Sequence, residues 1–323
     1  MNTCKTPCTR TQMPAAGRLS RWLVIVLLAV MVSACTNSKL IIAPLYNRLD
    51  DRMRDQFNEL ADFSDEQTAA FEASLGTFHV WHRQSELPQY AAFIKTLAAS
   101  VKTQNTTADD IQQWMDTVEL HSRKARDCHP VNFSIDLMKS LTEEQLASIE
   151  QNYNEERQED IERYESRTAE ERVERRLRNI SKWAGRIDVD LTPTQRAMLL
   201  SAFKQQISLR KEYFSLSEKW YRELFELVRA NDNPDFDEDM RAHLAAQWRQ
   251  LESEYPEQWQ ANSELWKNTG LRFVQSLTTE QRTTINQWLT RFSATLDAIA
   301  KDKPSFQVVN DPSVGCLVNP GKS

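Results

Sequence analysis

The chain reads as an all-α protein, an elongated bundle of long antiparallel helices with no sheet, on three observations. Only six of its 323 residues are glycine, far below the usual ~7%, and the hairpins of a sheet need more turn glycine than that. One short phrase (an apolar residue, Ser or Thr, two residues, then Gln) occurs four times, beginning at Phe63, Leu141, Leu191 and Leu277. Apolar residues also recur three and four apart through most of residues 45–302, the period of a helix face.

The first thirty-four residues read as a cleaved leader. Lys5, Arg10, Arg18 and Arg21 form a basic start with no acidic residue, and an apolar run from Trp22 to Val32 follows. That run is short for a bilayer core, which takes about 20 residues. Basic, apolar and small-residue segments in this order make a secretory signal. Val32-Ser33-Ala34-Cys35 resembles the lipobox of bacterial lipoproteins. The resemblance implies cleavage before Cys35, a diacylglycerol on its sulfur and acylation of the new amine. Several acyl chains, at about 0.8 kcal/mol per buried methylene, hold stably where one is marginal. Thr36 stands where an Asp would favour the inner membrane, which implies the periplasmic face of the outer membrane. The chain then divides into a signal (1–34), a lipidated cysteine and tether (35–44), a helical body (45–302) and a tail (303–323).

Without the leader, 36 Lys and Arg face 46 Asp and Glu, a formal charge of −10. Such a surface repels nucleic acid and anionic headgroups, so the expected partners are a membrane, through the lipid, and an unidentified polypeptide client. Beyond the lipid on Cys35 no cofactor is expected. Removal of the leader and lipidation leave Cys128 and Cys316, and in an oxidising compartment two leftover cysteines read as a disulfide.

The body opens on Leu45, Leu49, Met53, Phe57 and Leu60 at helical spacing. Each repeated phrase is a capping box, in which the hydroxyl accepts from the backbone three residues on and the Gln returns a bond to the cap. Phe71, Leu75 and Phe78 continue the first box; Tyr90, Phe93, Ile94 and Leu97, then Ile111, Trp114, Met115 and Val118, follow. Residues 142–184 read either as one long charged helix or as two, divided by a fifth box at Thr168-Ala169-Glu170-Glu171. Glu159/Arg163, Glu171/Arg175 and Glu174/Arg178 there have the favoured i,i+4 order. Residues 192–229 carry the broadest apolar surface and read as a central helix. A helix from 235 towards 277 is kinked or divided at Pro256. The last, from 278, carries Ile285, Trp288, Leu289, Phe292 and Leu296.

The densest phrase is His79-Val80-Trp81-His82-Arg83-Gln84-Ser85-Glu86-Leu87-Pro88-Gln89-Tyr90. We read it as a joint between two helices. His82 and Arg83 end the first, where cations suit the dipole; Pro88 opens the second, and Trp81 and Tyr90 pin the corner. A metal site here would draw on His79 and His82 with His121, His129 or Cys128, which lack a tight ligand spacing. Glu86 and His82 have no nucleophile or oxyanion feature beside them. Trp248, Trp259 and Trp266 gather around Pro256, either as core or as the lining of a groove.

Leu45-Tyr46 with Leu49-Asp50, Trp81-His82-Arg83 with Glu86-Leu87-Pro88 and Tyr90, and the Leu-Thr-x-x-Gln boxes resemble a family of proteobacterial lipoproteins, domain-of-unknown-function family 6279. The resemblance implies an all-helical lipoprotein. The boxes at Leu141, Leu191 and Leu277 also resemble those of Spy-like periplasmic chaperones, while Phe63-Ser64-Gln67 departs at two positions. The sequence thus favours a non-enzymatic helical scaffold or chaperone-like envelope factor. The alternative is an enzyme or metal-binding protein centred on the Trp81-His82-Arg83 joint.

Overall fold

The computed structural model describes residue 44, residues 46–129 and residues 135–302, without the side chain of Trp248. The leader, Cys35, Leu45 and the tail with Cys316 lie outside the described residues. Among the described residues every regular element is helical. In order they are α1 (Leu49–Asn58), α2 (Asp65–Trp81), a π-helical turn (His82–Glu86), α3 (Leu87–Thr103), α4 (Ala108–Asp127) and α5 (Ile135–Lys139). Then come α6 (Glu143–Glu165), α7 (Ala169–Arg186), α8 (Pro193–Gln205), α9 (Arg210–Arg229) and α10 (Phe236–Ala246). A 3₁₀ turn (Gln247–Arg249), α11 (Gln250–Glu254), α12 (Pro256–Gln275) and α13 (Thr279–Lys301) complete the body. No described helix is long and apolar enough to cross a membrane.

All four repeated phrases form capping boxes, at Ser64, Thr142, Thr192 and Thr278. Thr107 and Thr168 form two more, closed by Asp110 and Glu171. The box at Thr168 breaks the charged stretch, so α6 and α7 are separate helices. Glu171 is occupied there as the return arm of the cap, while Glu159–Arg163 and Glu174–Arg178 pair at 3.5 and 3.4 Å. Pro256 divides its helix, standing at the first position of α12. With little glycine available, left-handed residues at helix ends are Gln104 and Asp188.

The expected central helix over 192–229 does not exist as one piece. Backbone at Gln206 turns extended, with ψ 123°, and α9 restarts at Arg210. Neither Gly nor Pro marks the break. The Asn262 side chain of α12 stabilises it instead, accepting from the Ile207 N–H and donating to the Ile207 carbonyl, both at 2.9 Å. That exchange satisfies the two backbone groups that leaving the helix would strand. The broad apolar surface is therefore shared between two cores: Leu199 and Phe203 serve one, Trp220, Phe225 and Val228 another.

The box glutamines do more than cap. Gln67 and Gln145 exchange amide hydrogen bonds of 3.0 and 2.7 Å, and Gln195 and Gln281 do the same at 2.9 and 3.0 Å. Each amide nitrogen also donates to the carbonyl two residues before its partner's cap: Gln67 to Ser140, Gln145 to Asp62, Gln195 to Ser276 and Gln281 to Asp190. Each side-chain oxygen meanwhile accepts from its own cap N–H. Two helix starts are thereby clasped reciprocally, and the clasp occurs twice with one geometry.

Among the described residues the apolar interior is divided among four clusters rather than pooled. The largest contacts join α3 and α13, which run antiparallel: Ala91 meets Ser293 (2.9 Å), Ala98 meets Asn286 (2.7 Å) and Val101 meets Arg282 (3.1 Å). Leu87, Tyr90, Ile94, Trp288, Phe292, Leu296 and Ile299 fill that seam, with Tyr46 from the segment before α1. Burying each such Leu, Ile or Phe contributes about 1.5–3 kcal/mol. A second cluster unites α5, α6, α9 and α10, and a third joins Phe57, Phe71, Leu75 and Leu137. The fourth lies between α7, α8 and α12, where Val173, Leu177 and Ile180 present one stripe and the charges of α7 face outward.

Candidate functional site

Pro88 determines the local geometry of the Trp-His-Arg phrase. In an unbroken α-helix its ring would meet the carbonyl of Gln84, and it has no N–H to donate there. The backbone widens instead, and the N–H of Leu87 bonds the carbonyl of His82 five residues back. The expected corner is thus absent: α2 runs through a π turn into α3, and Pro88 sits exposed in the first turn of α3. Trp81 is only half-buried, so it pins no corner. Pi turns inside helices mark functional sites more often than other helical segments do.

Five polar residues of this stretch point inward. His79, His82, Arg83, Glu86 and Tyr90 are 3%, 6%, 2%, 1% and 4% exposed. They continue the stripe of Phe71, Leu75 and Phe78 along the helix, and polar side chains occupy it where apolar ones would be expected. Three other elements close over them: the segment before α1 with Tyr46 and Asn47, α4 with His121 and Lys124, and the last turn of α13 with the Ile299 carbonyl.

Arg83 binds the ends of two elements. It donates to Asn47 Oδ1 at 2.6 Å and to the Ile299 carbonyl at 3.2 Å, and its guanidinium lies 5.0 Å from the centre of the Tyr46 ring. The carbonyl belongs to the negative end of the α13 dipole, which suits a cation. Among the described residues no carboxylate pairs with Arg83, and its Nε is buried without a partner.

The Tyr46 hydroxyl and His82 Nδ1 share a hydrogen bond of 3.0 Å, and the Tyr46 ring packs 4.9 Å from that of His79. Burial first, then His79 and Arg83 nearby, depress His82 to about 3. Burial and Arg83 depress His79 to about 4. Burial drives the Tyr46 phenol well above its ordinary value, against the pull of Arg83. At neutral pH the pair is an uncharged phenol on an uncharged imidazole.

Glu86 is held from α4. Its Oε2 lies 2.9 Å from His121 Nδ1, and its Oε1 lies 3.8 Å from Lys124 Nζ and 3.5 Å from Gln89 Nε2. Tyr90 sets its ring edge-on to both His82 (5.5 Å) and His121 (5.0 Å), and its hydroxyl is buried with no partner. Burial, then Glu86 and Tyr46, raise the Tyr90 phenol.

The residues singled out in the sequence therefore converge only in part. His82, Arg83, Glu86 and Tyr90 share the cluster, while Trp81 edges it and Pro88 shapes it from outside. Among the described residues no three His, Cys, Asp or Glu side chains are disposed to hold a metal ion. Cys128 is disulfide-bonded; Cys316 lies outside the described residues. Asn47 was not foreseen, and Tyr46 and His121 were named only in the family resemblance and as a candidate metal ligand, not as partners of His82 and Glu86. His121 is 35 residues from Glu86, and no local pattern announces that contact.

An all-α chain with paired box clasps and a polar cluster walled in at a π turn defines the class to which the protein belongs. The model of the family of unknown function DUF6279 matches residues 59–255, and the chain is a member of that family. The match takes in the π turn and α4 but ends before α12 and α13. No curated protein and no solved structure matches the chain.

Proposed function

We propose that the chain is the precursor of an envelope lipoprotein, cut before Cys35 and held by acyl chains to the periplasmic face of the outer membrane. Its helical body serves as a non-enzymatic scaffold or chaperone-like factor that holds another polypeptide through apolar contact. The basic leader, its short apolar run and Val32-Ser33-Ala34-Cys35 support the anchoring. Labelled palmitate should enter the wild-type protein and not Cys35→Ala; equal labelling would refute it. The bonded state of Cys128 supports an oxidising compartment. Its proposed partner is Cys316, since Cys4 and Cys8 leave with the leader and Cys35 carries lipid. Peptide mapping that finds Cys316 free would remove that pairing.

One observation carries the holding function: the exposed apolar pair at the break between α8 and α9. Ile207 is 43% and Trp259 41% exposed, and Trp259 stands one helical turn from Asn262, the residue that grips Ile207. A tryptophan so exposed is the kind of anchor that dominates contact surfaces. Two turns further along α12, Trp266 packs on Phe203 at 5.2 Å, so of these two tryptophans one joins the core and the other faces outward. The folded wild-type protein should slow the aggregation of a reduced, unfolding test protein. An Ile207→Ser, Trp259→Ala variant should lose most of that activity while melting normally. Equal protection by both would sink the reading.

A further inference from the structure

We propose that the cluster at the π turn is an acid-operated latch, which holds the segment before α1 against the body at neutral pH and releases it when His82 and His79 take up protons. This goes beyond the holding function and stands on the body alone, independent of the lipid anchor.

The geometry puts both imidazoles under one cover. The Tyr46 ring packs on His79 and, 5.8 Å away, stacks on His82, to which its hydroxyl is also bonded. Lifting Tyr46 therefore removes a shared cover from both rings at once. Among the described residues, two side-chain hydrogen bonds tie this segment to the π turn, Tyr46 to His82 and Asn47 to Arg83. The imidazolium form of His82 carries N–H at both nitrogens, so Nδ1 can only donate to the Tyr46 hydroxyl and it is the buried charge that drives release. It also sets a second buried cation beside Arg83, which has no carboxylate partner among the described residues.

The other charged and titratable groups facing the rings are few. The π turn and α3 contribute Arg83, Glu86 and Tyr90. From α4 come His121 and Lys124, both directed at Glu86; His129, just after α4, faces Phe78 at 6.1 Å and is itself lowered to about 4 by burial. The last turn of α13 offers the neutral Ile299 carbonyl. Asp50 of α1 is buried and its carboxyl is raised. It titrates in the opposite sense, so its protonation does not favour release.

The sign follows from linkage. Both histidines ionise far below the ordinary 6.5 when covered and near it when uncovered. The open form therefore binds more protons, and acid favours it. Each histidine multiplies the opening constant about tenfold per pH unit between roughly 6.5 and 4. From pH 6.5 to 4.5 the factor is about 50 for His82 alone and about 2,000 for both rings.

Hydrogen exchange of the purified protein, read by mass spectrometry and corrected for the intrinsic pH dependence, tests the latch at residues 46–53. In the wild type, exchange there should rise at least 100-fold from pH 6.5 to 4.5, while residues 279–290 at the far end of α13 keep their protection. His82→Asn, which keeps a side-chain acceptor but does not titrate, should cut the rise by about 50-fold. A wild-type rise in His82→Asn, or simultaneous loss of protection at both ends, overturns the proposal. Should His82→Asn fail to fold, Tyr46→Phe decides. Faster exchange of 46–53 already at pH 6.5, with the acid slope kept, supports the latch, and wild-type exchange at pH 6.5 overturns it.

Discussion

Arg282 and Arg83 stand at opposite ends of the antiparallel α3–α13 pair, and both are buried, at 6% and 2% exposure. Arg282 reaches the carbonyls of Leu277, Val101, Val274 and Gln275, so the C-terminal ends of α3 and α12 are tied by one guanidinium with every nitrogen in use. The Gln195–Gln281 clasp beside it is satisfied in the same way. Arg83 also grips a helix end, but its Nε is left over, as is the Tyr90 hydroxyl, and its neighbours are two imidazoles that burial keeps neutral. Buried polar groups with all partners in place fix one structure, whereas partly satisfied ones store strain. One end is a fastener. The other is built to respond.

That contrast predicts unequal losses. Arg282→Met strands carbonyls from three segments and should be the most damaging, by about 3–5 kcal/mol, or roughly 10 °C in the thermal melt. Arg83→Met should lose far less, about 1 kcal/mol, because a buried, incompletely paired charge contributes little net stability. Equal losses at the two ends would erase the distinction.

Acid should separate the ends next. His82 has its pKa lowered on folding, so its contribution is present above about 6.5 and is lost as pH falls towards 3. Between pH 7 and 4.5, urea unfolding should show the wild type losing up to about 2–3 kcal/mol more than His82→Asn, capped by the free energy of opening the latch. Arg282→Met should leave that pH slope unchanged.

The two clasps differ as well. Gln195 is fully buried and Gln145 only partly, so Gln195→Leu should cost about 2 kcal/mol and Gln145→Leu about 1, measured by the same unfolding curves. Trp259→Ala, at the exposed break, should change stability by less than about 0.5 kcal/mol while reducing the binding of an apolar dye.

Legibility in the sequence followed the range of the interactions. The boxes at Ser64, Thr142, Thr192 and Thr278 were readable because a capping box is complete within four residues. Their pairing was not, since Gln67 meets Gln145 across 78 positions and a single chain offers no signal for that. The break at Gln206 was hidden because the residue that makes it tolerable, Asn262, lies 55 positions away. At the π turn, the spacing of His79, His82, Arg83, Glu86 and Tyr90 was already that of an inward helix face. Apolar periodicity is the usual guide to burial, and polar side chains on that face read as solvent-facing or as a corner. Pro88 added to the error, because a proline inside a helical pattern ordinarily ends the helix and here widens one turn instead.

Proton-by-proton titration of the imidazoles by nuclear magnetic resonance tests the central claim most directly. The account predicts that His82 and His79 stay neutral well below 6.5 and that, where they do protonate, the Tyr46 ring signals shift at the same midpoint. A His82 that titrates near 6.5 while Tyr46 remains unmoved would contradict it.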